Sequence, residues 1–263
     1  MSARLPDFLL LGAAKCGTSA LHAALARHPQ LFLSEPKEPN FFLTDGPPPG
    51  TGGGPGDVAT WREHVWRRAD YESLFAAAPP GVRCGESTVF YLYDLAAQVR
   101  IRALLPAARL IAVLRDPVER AHSNWAHLRG AGLEPEADFR TALAAEPARV
   151  VAGWAHFWHY TAQGRYGEQL AHLFGLFPSE QVLLLRYREL RDAPAATADR
   201  VCRFLGVQTG VITGLPRQHV RPDVTGRTSG PSAAERAAVL PRFVDDVPAV
   251  RKWTGWDLGD WLR

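Results

Sequence analysis

Lysine is almost missing from this chain of 263 residues. Of its 30 basic residues only Lys15, Lys37 and Lys252 are lysines, and the other 27 are arginine. Two of the three lie in one early stretch. An ammonium is a compact point charge that can follow a phosphate or a departing oxygen, which the planar fork of arginine does less well. Cysteine is equally scarce. Cys16, Cys84 and Cys202 are odd in number and widely spaced, which excludes a disulfide framework or a metal-ligand pattern and predicts a reducing, cytoplasmic setting with no metal. No apolar run approaches the roughly 20 residues of a membrane span, and residues 1–7 carry no signal-peptide pattern, so no membrane association is expected. Long Lys/Arg runs are absent too. The net charge of +3 and the pI near 8.9 are mild and favour an anionic small ligand over nucleic acid. With 46% hydrophobic and 22% charged residues and no internal repeat, residues 1–263 are expected to form a single α/β domain.

What the sequence has is concentrated in Phe8-Leu9-Leu10-Leu11-Gly12-Ala13-Ala14-Lys15-Cys16-Gly17-Thr18-Ser19-Ala20-Leu21. Four apolar residues predict a strand buried on both faces, and the apolar spacing from Ala20 predicts a helix that stops near His28-Pro29. A strand, a tight turn and a helix make a phosphate cradle, because the free N–H groups and the helix dipole converge on one anion. Lys15 adds a charge there, and Thr18 and Ser19 add hydroxyls. Next comes Ser34-Glu35-Pro36-Lys37-Glu38-Pro39-Asn40-Phe41-Phe42. Its prolines hold Lys37 and Glu38 on an extended segment, and Phe41 and Phe42 pin that segment to the core. Residues 44–57 are dominated by glycine and proline and predict a mobile surface loop, either a lid over the site or a plain insertion.

The second informative stretch runs through 109–125. Residues 110–114 predict a buried strand, and Asp116-Pro117 starts a helix with proline at its first position. Arg115 then sits at the carboxyl end of a strand, where open α/β sheets present their ligand groups. Asp116, Arg120 and Ser123 or Asn124 fall on one helix face. Arg115 and Ser123 together suit a second phosphate. Further helices are expected at 61–77, 91–105, 138–145, 150–162, from Gly164 to about 177, 195–205, 233–245 and 253–261. Strands are expected at 82–85, delivering Glu86 and two hydroxyls to the ligand edge of the sheet, and at 182–185. Trp154, His156, Phe157, Trp158, His159 and Tyr160 are either core or an acceptor-binding wall. A basic loop at 221–231 is placed to fold over an anion.

Such a cradle suits a nucleotide kinase, or a non-catalytic nucleotide-binding module, as well as a transferase. In the kinase motif, however, lysine follows the second glycine, whereas here Lys15 precedes Gly17. A kinase also holds magnesium on a carboxylate at a strand tip, where this chain has Arg115. The ensemble resembles the sulfotransferases that use 3′-phosphoadenosine 5′-phosphosulfate (PAPS), closest to their bacterial and heparan-sulfate-type branch. Lys15-Cys16-Gly17-Thr18-Ser19-Ala20-Leu21 resembles the family's 5′-phosphosulfate loop. Arg115-Asp116-Pro117-Val118-Glu119-Arg120-Ala121-His122-Ser123 resembles its 3′-phosphate motif. Tyr166 and Gly226-Arg227-Thr228 also match, the latter resembling a late loop that covers the nucleotide. The resemblance implies a mostly parallel sheet flanked by helices with a P-loop-like turn, and it places a catalytic base at Glu38. It further implies that Lys15 stabilises the leaving oxygen, and that a hydroxyl or amine of a small molecule or carbohydrate attacks sulfur in line. The chain has Ser87 where heparan-type members carry a lysine, and Lys37 is the candidate to supply that charge.

Overall fold

Phe8–Gly12 (β1) is buried along its whole length, as four consecutive apolar residues between two neighbouring strands require. In this computed structural model, which describes residues 4–216 and 230–263, it is the middle strand of five. The others are Leu31–Leu33 (β2), Arg83–Ser87 (β3), Arg109–Leu114 (β4) and Val182–Arg186 (β5), in the order β2-β3-β1-β4-β5. Every pairing is parallel. Phe8 lies opposite Gly85 on one side and Arg109 on the other. A Cβ at Gly85 would stand 2.2 Å from the Phe8 ring, so only glycine lets that ring cross the neighbouring strand.

The helices, in chain order, are Thr18–Leu25 (α1), Asp57–Arg62 (α2), Arg68–Ser73 (α3), Leu95–Leu104 (α4), Pro117–Gly130 (α5), Phe139–Val151 (α6), Tyr166–Leu176 (α7), Tyr187–Asp192 (α8), Pro194–Leu205 (α9), Ala233–Val239 (α10) and Val247–Thr254 (α11). Among the described residues the chain divides into two compact units. The first holds 4–48, 63–114 and 172–216 and contains the whole sheet. The second holds 49–62, 115–171 and 230–263. Its core joins Val118, Trp125 and Leu128 of α5, Phe139 and Leu143 of α6, and Trp158, Tyr160 and Phe243. Lys252 is exposed on α11.

Several elements depart from the sequence expectation for identifiable reasons. The helix expected at 61–77 is broken into α2 and α3, and between them the Val65 N–H bonds the Pro39 carbonyl at 2.9 Å. The helix expected at 150–162 does not form. The 3-10 turns His156–Trp158 and Ala162–Gly164 replace it, because buried carboxylates claim N–H groups that a helix would pair. Glu146 accepts from Thr161 N (2.6 Å) and Ala162 N (2.9 Å), and Asp57 accepts from Ala155 N (3.1 Å) and the Trp158 indole (2.9 Å). At 91–105 the regular helix begins only at α4, where Asp94 caps it by accepting from Ala97 N at 2.7 Å. The helix expected at 233–245 is shorter, because Pro241 converts the end of α10 to a 3-10 turn. The one expected at 253–261 does not form: α11 lies ahead of it at Val247–Thr254 and ends at Gly255, φ 67°, and a 3-10 turn follows at Gly259–Leu262.

The glycine-proline stretch 44–57 is exposed in its middle, but its end packs. Asp57 is wholly buried and accepts from Gly54 N at 2.7 Å. A Cβ at Gly53 or Gly54 would meet Trp154 or Trp158 at 2.5–2.7 Å. Glycine is therefore needed there for close approach to indole rings.

Candidate active site

At the carboxyl end of β1 the chain turns sharply into α1. Lys15 takes φ 66° and Gly17 φ 82°, left-handed conformations that aim successive N–H groups to one side. Gly17 is the N-cap of α1 and supplies no side-chain acceptor. The first intrahelical bond is Leu21 N to Gly17 O, 3.1 Å, so the N–H groups of Thr18, Ser19 and Ala20 precede the helical ladder and are available to an anion. A Cβ at Gly17 would stand 3.1–3.3 Å from Leu190 and the Tyr187 ring, so the turn is tightly backed. Cys16 is buried with its thiol on the Ala14 carbonyl at 3.5 Å; any contact it makes with an anion is through its backbone. Lys15, Ser19 and Ala20 are half-buried. The donor set fits a phosphosulfate group.

Lys37 and Glu38 lie on the segment that crosses the end of β3. The two side chains form an ion pair, with 22% and 32% of their surface exposed. Glu38 N donates to the Ser87 carbonyl at 2.9 Å, and the Ser87 hydroxyl lies 2.8 Å from His22 Nδ1 on α1. Ser87 thus joins the helix that begins at the cradle to the strand that bears the carboxylate. Burial, and then the charge of Lys37, pull the His22 pKa down to about 4, so the imidazole is neutral near pH 7. His22 escaped the sequence reading, although its spacing from Thr18, one helical turn, puts both on one face.

Glu86 corrects the sequence reading. Rather than standing at an open ligand edge it is wholly buried, with Tyr71 donating to Oε1 (3.0 Å) and Thr88 donating to Oε2 (2.9 Å). Nothing in the local sequence around Tyr71 points to Glu86, its partner across the fold.

In the second unit Arg115 follows β4, and its Nε donates to Glu119 one turn into α5 at 3.0 Å. Tyr166 is fully buried and its hydroxyl donates to the Arg115 carbonyl at 3.0 Å, so its visible part is to brace the turn that carries Arg115. Of the helix face read from sequence, Asp116 caps α5 and takes both guanidinium nitrogens of Arg236 at 3.0 and 2.7 Å. Arg120 is buried on Gln163 and the Tyr160 carbonyl, and Asn124 donates to the Phe157 carbonyl. Ser123 is the half-exposed member. Gly226, Arg227 and Thr228 lie outside the described residues, as does most of the basic loop.

A sequence pattern described as "Sulfotransferase family" matches residues 59–210. The chain belongs to the sulfotransferase family. A crystal structure of a sulfotransferase from Alicyclobacillus acidocaldarius is 30% identical, with 99% of this chain and 100% of that one superposed at a TM-score of 0.87. A sulfotransferase domain of an olefin synthase from Synechococcus PCC 7002 shares the fold at a TM-score of 0.56, with 16% identity over 98% of this chain and 90% of that one. The human bifunctional heparan sulfate N-deacetylase/N-sulfotransferase 3 is 28% identical over 211 residues, 78% of this chain. This sulfotransferase spans 22% of that relative's length. The five-stranded parallel sheet and the P-loop-like turn are therefore those of a sulfotransferase, and the kinase alternative gives way.

Proposed function

We propose that this sulfotransferase carries a sulfuryl group from PAPS to a hydroxyl or amine of a carbohydrate or small molecule, with Glu38 as the base. The observation that carries this reading is the junction at Ser87, which holds the Glu38 backbone and the cradle helix on the same residue. PAPS supplies the sulfuryl group and leaves as adenosine 3′,5′-bisphosphate. The N–H groups of the 15–20 turn and Lys15 hold the phosphosulfate end, and Lys15 offsets charge on the oxygen released between phosphorus and sulfur. Glu38 takes the acceptor's proton, which requires its carboxylate within about 3 Å of the attacking atom. Lys37 orients Glu38 through their ion pair. Arg115 and Ser123, with Arg227 and its neighbours Gly226 and Thr228, bind the 3′-phosphate end, and Tyr166 supports them by bracing Arg115.

The reaction needs no metal, proceeds in the cytoplasm, and uses residues 1–263 as one catalytic domain. The relatives named as heparan sulfate N-sulfotransferases support a carbohydrate amine as the first acceptor to try. The test is calorimetry with adenosine 3′,5′-bisphosphate in EDTA, followed by transfer from radiolabelled PAPS to a panel of amino sugars, sugars and phenols. Binding with transfer supports the reading. A protein that binds the bisphosphate yet labels no acceptor is a binding module, and one that needs magnesium and ATP is a kinase.

A further inference from the structure

Beneath Glu38 lies a polar cluster to which the reaction as described gives no part. Its centre is the buried Glu86 carboxylate, which accepts from Tyr71 and Thr88 and lies beside Tyr91. The same side chains hold the segment that bears Glu38. The Thr88 hydroxyl accepts from Asn40 N at 3.3 Å, and the Tyr91 hydroxyl accepts from Phe42 N at 3.2 Å. The Tyr71 ring stacks on Phe41, with centroids 4.1 Å apart and planes within 7°. With Glu38 N on the Ser87 carbonyl, alternate residues 38, 40 and 42 hang from residues 87, 88 and 91, of which Thr88 points its hydrogen at the Glu86 carboxylate.

The direction of that hydrogen matters. A hydroxyl that gives its single hydrogen to Glu86, as Thr88 does, has only lone pairs left to offer, and a lone pair is what the amide of Asn40 needs. Glu38 and Asn40 also stand at φ 62° and 60°, a conformation that non-glycine residues keep only where their surroundings impose it. We propose that Glu86 is a positioning residue for Glu38: its carboxylate orients the Thr88 hydroxyl and the Tyr71 ring, and through them fixes the backbone of 38–42 that sets Glu38 against the acceptor.

The inference rests on the reading of Glu38 as base. The charged and titratable groups around Glu86 are Tyr71 with Arg68 beside it on α3, Tyr91 beyond β3, and Glu38 with Lys37 on the segment. Burial above all, with the nearby Glu38 charge adding, raises the Glu86 pKa to about 7 despite the hydroxyls that donate to it. Protonation there gives the carboxyl a hydrogen of its own and loosens the arrangement.

The experiment uses the full chain and the best acceptor from the panel above. Glu86→Gln and Thr88→Val are expected to lower kcat by about ten- to a hundredfold, the scale on which a displaced group loses rate, with affinity for adenosine 3′,5′-bisphosphate unchanged. Thr88→Ser, which keeps the hydroxyl, should restore kcat. In the Glu38→Gln background, adding Glu86→Gln should cost nothing further, because both act through one group. Unchanged kcat in Glu86→Gln, full additivity in the double variant, or a loss that appears in nucleotide affinity instead would overturn the proposal. Wild-type turnover by Glu38→Gln alone would instead remove the base assignment on which it rests. Should Glu86→Gln fail to fold, the Thr88→Val and Thr88→Ser pair decides the question without altering charge.

Discussion

At the scale of single residues, the site relies on groups held in conformations or charge states they do not prefer. Lys15 at φ 66° is one. Lys15→Ala is expected to reduce kcat by about 10²–10³, equivalent to about 3–4 kcal/mol for loss of a preorganised donor at a developing charge; steady-state rates with radiolabelled PAPS check this. Glu86 is another, and its linkage to stability has a definite sign. Its pKa rises from 4.5 to about 7 on folding, so between those values the folded chain binds more protons than the unfolded one. Its contribution to stability therefore falls as pH rises through that window, and the full cost, about 3 kcal/mol, persists above pH 7. Glu86→Gln should gain thermal stability relative to wild type on going from pH 5 to pH 8, measured as the difference between their melting temperatures at each pH. His22 works in the opposite direction. It resists protonation down to about pH 4 while the unfolded chain's histidine titrates near 6.5, so stability falls as pH drops through that interval.

At the scale of elements, the strands were the most legible part of the sequence. β1 and β4 are apolar runs whose burial on both faces leaves them no other reading, and β5 is as apolar although it lies at the sheet edge and is half-buried at Val182, Leu183 and Leu184. The Lys37-Glu38 segment was legible as an anchored stretch through its paired phenylalanines, but not as an extended one, since Glu38 and Asn40 take φ 62° and 60° although Pro39 favours the β region for the residue before it. The aromatic stretch 150–162 was not legible. Its apolar spacing suits a helix, and what prevents one is the reach of Glu146 from the preceding helix and of Asp57, about a hundred residues away in sequence, contacts visible only once the chain has folded. Asp57→Ala strips acceptors from the N–H groups of Gly54, Ala155 and Trp158 at once. At about 1–3 kcal/mol for each buried donor left unpaired, it is expected to lower the melting temperature markedly in calorimetry. Asp57→Asn, which keeps one acceptor oxygen, should lose less.

At the scale of the whole molecule, the order β2-β3-β1-β4-β5 puts the ends of β1 and β3 side by side, and β4 leads directly into Arg115. Chain order alone could supply the motifs, because strand-turn-helix signatures are local. It could not supply the neighbour relation of β1 and β3, which are separated by more than 70 residues and brought together by parallel pairing of Leu10 with Ser87. For that reason the cradle and Arg115 were read from sequence, while the junction of Ser87 with His22 and the burial of Glu86 were not. A local motif names the donor's contacts. A tertiary pairing decides what stands behind them.

The scarcity of lysine has a practical consequence. Because the side-chain amines are confined to Lys15, Lys37 and Lys252, an amine-selective reagent becomes nearly a site-directed probe of this enzyme. Lys15 and Lys37 are half-buried in the first unit, whereas Lys252 stands exposed on α11 and reports the reagent's intrinsic reactivity. Bound adenosine 3′,5′-bisphosphate is expected to shield Lys15 while leaving Lys252 labelled at its original rate, an occupancy measurement by mass spectrometry that requires no knowledge of the acceptor. Equal labelling of Lys15 with and without the nucleotide would mean that the cradle binds something else.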